Sequence, residues 1–171
     1  MNKFPIKLIL KPSLYIGLLS ASVLYTIFSY LQKDGISILE CSFNSFFSGI
    51  ILLILCLFVP IFSINKKLIK EELFPIKAGK LFIFFIFILL LGNIIYIALD
   101  YLIFFFDNSI SKDISEALIK IPGTENFATK TEILKLRNFP LAIINWVSNL
   151  FFGFIGILIS YFIVKKKLQY L

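Results

Sequence analysis

The sequence contains no histidine. Its absence excludes Ser-His triads, Cys-His pairs and histidine-ligated zinc or haem sites. The apolar segments hold a single acidic residue, Asp100, whereas an intramembrane aspartyl dyad needs two. No strand is predicted that could lead into a glycine-rich phosphate loop. We therefore predict no catalytic residue, no metal site and no cofactor, and we expect that the protein is not an enzyme.

Cysteine is also scarce, with only Cys41 and Cys56. Two cysteines cannot bind zinc tetrahedrally by themselves. If both lie on one helix, a rise of ~1.5 Å per residue separates them by more than ~20 Å, which is beyond disulfide reach. We interpret both as packing residues.

Charged residues make up 16% of the chain and hydrophobic residues 59%, against about 25% and roughly 45–50% in soluble domains. A soluble protein this apolar could not cover its surface with polar groups. The net charge of +7 comes from short lysine clusters beside apolar segments, a pattern typical of membrane flanks that attract anionic lipid head groups. We therefore expect the lipid bilayer as a partner and no nucleic acid, with a second copy of the chain or another membrane protein as further candidate partners.

Four apolar runs reach the ~20 residues that a helix needs to cross the hydrocarbon core. We predict membrane spans at 13–31, 43–64, 81–106 and 139–164. The runs are too continuously apolar for the alternating strands of a membrane barrel. The predicted fold is a single all-α domain over residues 1–171, an integral membrane four-helix transmembrane bundle. It has an amphipathic helical outer loop at 107–138, between the third and fourth spans.

The lysines and arginines are distributed unevenly between the two ends of the predicted spans. The N-terminal segment, the loop 65–80 and the C-terminal tail hold eleven of them, and the loops 32–42 and 107–138 hold six. Because basic residues accumulate on the cytoplasmic side, we expect a multi-pass protein with cytoplasmic N- and C-termini.

The loop 107–138 contains a short helical pattern. Its apolar residues have the spacing of one helix face, and they are Ile110, Ile114, Ala117, Leu118 and Ile121. The opposite face is polar, with Lys112, Asp113, Ser115, Glu116 and Lys120. Pro122 ends this pattern, and Thr129 followed by Glu132 predicts the start of a second helix. We interpret the first helix as resting on the outer lipid surface or covering the bundle; the alternative is a lid or a docking site.

Polar side chains are costly in hydrocarbon, so their positions indicate which faces of the spans point inward. Two faces, one on the third span and one on the fourth, form a candidate intramembrane polar cluster: Asn93, Tyr96, Asp100, Asn145 and Asn149. Small residues are expected to mediate close helix packing, and they are Gly17, Ala21, Gly153, Gly156 and Ser160. We expect the third and fourth spans to pack through their polar faces. The cluster is interpreted as a packing seam or, alternatively, as a polar pocket or translocation path with Asp100 as its ionisable member.

Several apolar motifs carry a family resemblance. Residues 139–140 open a run that continues through 151–155 and 158–160 and ends in the lysines 165–167; residues 74–80 and 107–108 add to it. With the four-span layout, this resembles the bacterial membrane family catalogued as domain of unknown function 4199. The resemblance implies no activity and no catalytic residues, and it suggests a place beside membrane glycosyltransferases. Family members often carry an acidic, methionine-rich outer helix, whereas this loop is neutral and lacks methionine.

These observations leave more than one function open. The leading hypothesis is a non-enzymatic accessory or scaffold protein of the bacterial inner membrane, acting through helix–helix and loop contacts. The alternative is a small oligomeric transporter, channel or lipid-handling protein, and a third possibility is a subunit of a lipid-linked sugar pathway. A wet cavity at the asparagine-bearing face would favour transport, and a dry packed seam would favour a scaffold.

Overall fold

A computed structural model describes residues 6–33, 38–63, 78–122 and 128–169, and it contains no strand in these ranges. The helices in chain order are α1 (Ile6–Lys33), α2 (Ile38–Ser63), α3 (Ala78–Phe106), α4 (Ser109–Ile119), α5 (Lys130–Lys135), α6 (Leu141–Ile144) and α7 (Trp146–Gln169). A 3-10 turn at Leu136–Asn138 follows α5. We call the segments between α3 and α7 the cap.

The four long helices each contain a segment with the length and composition of a membrane span. These segments are Ile6–Gln32, Ser45–Ser63, Gly79–Phe106 and Trp146–Lys167. The predicted all-α four-helix bundle is therefore confirmed, and by helix length and composition the chain is a multi-pass membrane protein.

The first helix begins earlier than the predicted span because it continues through Pro12. Proline lacks an N–H group and normally disrupts a helix interior. Here Pro12 is buried, and the neighbouring Ser13 Oγ donates to the carbonyls of Ile9 at 2.8 Å and of Ile88 on α3 at 3.1 Å. Packing against α3 thus accompanies the continuation of the helix through the proline.

The predicted fourth span, 139–164, is not one continuous helix in the structure. Phe139 has extended backbone, Pro140 is the N-cap of the four-residue helix α6, and Asn145, at φ −101° and ψ 10°, separates α6 from α7. The long helix begins at Trp146. Hydropathy could not locate this break because the residues on both sides of it are apolar.

The four long helices form a ring in which α2 packs most extensively against α7, and α1 against α3. Contacts of α1 with α2 and of α3 with α7 complete the ring. One apolar core, around Phe84, Phe85 and Ile88, fills the end opposite the cap. A second core joins Phe28 and Tyr96 to residues of the cap.

The cap confirms the predicted amphipathic helix. Ile110, Ile114 and Ala117 of α4 are buried, and α4 contacts both α1 and α2, so it covers the bundle. Gln32 Nε2 of α1 donates to the Asp113 carboxylate at 2.7 Å. One placement was wrong, because Ser115 is fully buried rather than on the polar face.

Candidate functional site

The polar side chains at the contact between α2 and the α6–α7 segment form what we call the polar seam: Ser45, Ser48, Asn145, Ser148 and Asn149. Ser48, Asn145 and Asn149 are buried, Ser148 is half-buried and Ser45 is exposed. Ser45 Oγ donates to Asn145 Oδ1 at 2.7 Å, and Ser48 Oγ donates to Asn149 Oδ1 at 2.7 Å. Ser148 Oγ donates to the Ser45 carbonyl at 2.6 Å. Three hydrogen bonds therefore join the two segments in the half of the bundle nearest the cap.

The seam follows from the sequence spacing on both helices. Ser45 and Ser48 are three residues apart, and so are Asn145 and Ser148, which places each pair on one face of its segment. Hydrocarbon offers no hydrogen-bond partner to an amide or a hydroxyl. Polar faces of two spans therefore turn toward each other, although each such bond is worth only about 0.6 kcal/mol on average.

The partner helix of the Asn145 and Asn149 face differs from our expectation, which was the third span. The hydrogen-bond partners of these asparagines are the serines of α2. Asn93 Nδ2 of α3 donates to the Leu89 carbonyl of its own helix at 3.1 Å. The helices α3 and α7 do touch. Leu89 of α3 lies against Gly153 of α7. Asn93 and Asn149 are each one helical turn nearer the cap than this contact, so the two asparagines lie at the same height along the bundle.

Asp100 lies at the junction of α3 and the cap and is buried. Its Oδ2 accepts the backbone N–H of Ala142 in the first turn of α6 at 2.7 Å. First-turn N–H groups have no partner within their own helix, so Asp100 caps α6 from a different helix. A cavity of about 20 Å³, lined by Asp100, Tyr25 and Pro140 among others, is large enough for roughly one water molecule.

Some buried polar atoms have no hydrogen-bond partner within the described part of the chain: Ser20 Oγ, Tyr96 Oη, Asn149 Nδ2 and Ser160 Oγ. The Tyr96 hydroxyl lies beside Ser48 of the seam. Of the candidate polar cluster, Asn145 and Asn149 belong to the seam and Tyr96 borders it, while the Asn93 amide bonds within α3. Asp100 accepts a backbone N–H of α6 and is not part of the seam.

The small residues lie where helices approach most closely. A Cβ on Gly156 would overlap the Leu53 carbonyl of α2, and one on Gly153 would come within 2.6 Å of Leu89 on α3. A Cβ on Gly17 would lie 2.7 Å from the Cβ of Ile95 on α3. Ala21 and Ser160 are also buried.

Sequence reasoning did not single out Ser45, Ser48 or Gly49 on α2. A Cβ on Gly49 would lie 2.7 Å from Ser148 Oγ, so Gly49 contributes to the close approach at the seam. The signal was available, because small and polar residues recur within one turn near the start of the predicted second span. Their significance depends on the facing helix, which the sequence of one span does not identify.

Two acids outside the spans have their pKa held below the ordinary value by local hydrogen bonds. The pKa of Asp107 is lowered by the hydroxyl and then the backbone N–H of Ser109, and that of Glu132 by the backbone N–H and then the hydroxyl of Thr129. The Glu132 arrangement is the capping box of α5, whereas Asp107 accepts the N–H of Ser109, the first residue of α4. No group of three His, Cys, Asp or Glu side chains that could hold a metal ion occurs in the described ranges.

The seam can hold two helices in register, and the cap covers the end of the bundle where the seam lies. Comparison with family models, with curated proteins and with solved structures finds no match to this chain.

Proposed function

We propose that this protein is a non-enzymatic accessory or scaffold protein of the bacterial inner membrane, with both termini in the cytoplasm. The observation that carries the proposal is the polar seam, where the side chains best suited to line a pathway are occupied in bonds between helices. The resemblance to the domain of unknown function 4199 family supports the same role and extends it to a position beside membrane glycosyltransferases.

The packing around the seam also favours a scaffold. Gly49 lies against Ser148 and the Phe152 ring of α7, and Gly156 lies against the Leu53 carbonyl of α2, so the two helices approach closely at the seam and again farther from the cap. A rigid bundle with a structured cap presents a constant surface to a partner, and the apolar outer faces of the long helices lie toward lipid or neighbouring spans.

Water accessibility of the seam tests this proposal. In a background with Cys41→Ser and Cys56→Ser, we expect Ser48→Cys to resist a membrane-impermeant thiol reagent in proteoliposomes. Lys112→Cys, on the exposed face of α4, is the control and should react when the cap side is accessible. Rapid modification at position 48 would contradict the scaffold and favour a water-filled path.

A scaffold must also retain a partner. We expect a defined membrane protein to co-purify in mild detergent and to be lost when the exposed face of α4 is reversed by Lys112→Glu and Glu116→Lys. The reversed variant conserves net charge and lies outside the core, so it should insert and fold normally. Equal recovery of every co-purifying protein with both forms would contradict a role for the cap.

The alternative function, a small oligomeric transporter, channel or lipid-handling protein, is favoured by one observation. Asn149 Nδ2 and Tyr96 Oη are buried without partners in the described part of the bundle, and a passing polar solute or water would supply partners. Solute flux through reconstituted protein that is abolished by Asn149→Leu would establish this alternative.

A further inference from the structure

An open cleft of about 330 Å³ lies between α1 and α2, at the end of the bundle opposite the cap. Its walls are apolar or aromatic except at the rim, and they include Lys11, Tyr15 and Leu19 from α1 and Phe58, Phe62 and Ser63 from α2. An apolar cavity of about 150 Å³ holds one benzene ring, so this cleft has room for roughly a dozen carbon atoms. Its walls extend from Lys11 to Leu19, which is about 12 Å along the helix axis.

The lysine and the serine of the cleft lie at its rim, and the other lining residues are apolar apart from the Tyr15 hydroxyl. Lys11 and Ser63 mark the end nearest the membrane surface, and Leu19 and Phe58 lie deeper along their helices. Lys7 is one turn nearer the surface than Lys11 on the same face of α1, and both lysines are exposed. Like charges four residues apart repel each other on a helix, and an anion held between them would relieve that repulsion.

We infer that this cleft binds one anionic phospholipid of the leaflet around the start of α1. One acyl chain lies against Tyr15, Leu19 and Phe58, and the phosphate lies between Lys7, Lys11 and the Ser63 hydroxyl. A basic rim above an apolar slot matches the amphipathic shape of a phospholipid, and basic pockets between spans bind such head groups. The site is separate from the polar seam, so it stands whether or not the scaffold role holds.

The test uses tryptophan fluorescence quenching by brominated lipids in the full-length protein. In a Trp146→Phe background, Phe58→Trp places the reporter in the cleft. Phe162→Trp is the matched control, because Phe162 is also exposed and has the exposed Lys166 one turn nearer the surface, but lies outside the cleft. We titrate brominated phosphatidylglycerol or brominated phosphatidylcholine into vesicles of unlabelled phosphatidylcholine.

We expect a preference for the anionic lipid at position 58 that is at least fivefold larger than at position 162. Lys11→Gln should lower the preference at position 58 by about fivefold, and adding Lys7→Gln should lower it further, whereas Lys166→Gln should leave it unchanged. An equal preference at both reporters would show general attraction to the basic end of the bundle and overturn the proposal. So would an unchanged preference in the Lys7→Gln, Lys11→Gln variant.

Discussion

The hydrogen bond between Ser48 and Asn149 is buried in apolar surroundings, where neither side chain has access to bulk water. A bond of this kind is worth about 0.6 kcal/mol on average in a membrane bundle and up to ~1.7. The small value arises because polar groups in a loosened bundle find other partners within the membrane. The seam therefore aligns α2 and α7 more than it stabilises them.

We predict that Asn149→Leu lowers the free energy of unfolding by about 0.6 to 1.7 kcal/mol without abolishing the fold. Asn138→Leu, at an exposed position in the 3-10 turn, is the matched control and should have little effect. Unfolding in mixed detergent micelles measures both variants. An unchanged stability for Asn149→Leu would mean that the seam makes no net contribution to holding the helices.

The glycines of the bundle differ in what a methyl group would meet. At Gly156 an added Cβ overlaps the Leu53 carbonyl and lies 3.1 Å from the Cβ of Cys56, whereas at Gly79 nothing lies within 4 Å. Gly156→Ala should therefore destabilise the protein by about 1–3 kcal/mol, because α2 and α7 must separate.

Gly79→Ala is the control for that substitution, since it makes the same chemical change on another long helix. It should be neutral or stabilising by up to about 1 kcal/mol, because alanine restricts the unfolded chain. The same unfolding measurement applies to both variants. Equal effects at the two positions would contradict the close approach of α2 and α7.

Asp100 illustrates what a single residue cannot reveal. The sequence placed it in the candidate polar cluster, either as part of a packing seam or as the ionisable member of a pocket. The structure pairs it with the Ala142 N–H of α6, a group that is invisible to residue-type reasoning because every residue except proline has one.

At the scale of elements, the helix α4 is held by its apolar face. Ile114 is almost completely buried, whereas Lys112 is exposed. Ile114→Asp places a charge in the apolar contact and should lower the hydrogen-exchange protection of residues 109–119 by at least tenfold, about 1.4 kcal/mol.

Lys112→Asp introduces the same side chain on the opposite face of the same helix. It should change the protection of residues 109–119 by less than a few fold, since surface substitutions away from packed features are usually within about 0.5 kcal/mol. Hydrogen exchange followed by mass spectrometry resolves the segment. Similar small effects of both variants would mean that α4 does not pack on the bundle.

The helix α5 begins with a capping box in which Thr129 N–H donates to Glu132 Oε2 at 2.8 Å and Glu132 N–H donates to Thr129 Oγ1 at 3.3 Å. The carboxylate form of Glu132 is favoured in the folded state, so its pKa is lowered. The stabilising contribution is therefore complete above the ordinary glutamate pKa of about 4.3 and is lost as the pH falls through the lowered folded value.

We predict that the amide NMR shifts of Thr129 and Glu132 remain constant from neutral pH to about 5 and move toward random-coil values in more acidic solution. Glu132→Gln keeps the acceptor oxygen but cannot titrate, so its shifts should not follow this acid transition. An identical acid dependence of the Thr129 amide in both forms would assign the transition to another group.

The amphipathic helix α4 and the capping box of α5 could both be predicted from the sequence, because each depends only on residues close together in the chain. The face of α4 is defined by residues within three turns, and the capping box by four consecutive residues. The start of α7 could not be found in the same way. The break before it lies at Asn145, inside an apolar run, and the preceding helix α6 is capped by Asp100 from a helix 42 residues away in sequence.

At the scale of the whole molecule, the distribution of basic residues predicts the orientation in the membrane. Reporter fusions after Lys70 and after Lys166 should show cytoplasmic activity, and a fusion near Pro122 should show periplasmic activity. The insertion points at 70 and 122 lie on opposite sides of α3, which makes each the control for the other. Cytoplasmic activity at Pro122 would reverse the orientation, while the packing of the bundle would be unaffected.

The number of spans and the amphipathic cap helix were determined by the sequence alone. Both depend on apolar content and on periodicity within one segment. Lipid admits only helices and closed barrels, and these runs are too continuously apolar for barrel strands. The candidate polar residues could be identified for the same reason, because a polar side chain in an apolar run is visible without knowledge of its neighbours.

Only the tertiary structure decided which helices these residues join. The fourth long helix packs mainly on the second, not on the third that precedes it in the chain, and Asn145 and Asn149 meet serines a hundred residues away. Lipid solvates an apolar helix face almost as well as another apolar helix does, so the hydrophobic pattern does not determine which helices become neighbours. Which helices pack together is therefore determined by shape and by hydrogen bonds. Glycines such as Gly156 allow the backbone of another helix to approach closely, and the partners of the polar side chains are fixed only when two helices are in contact.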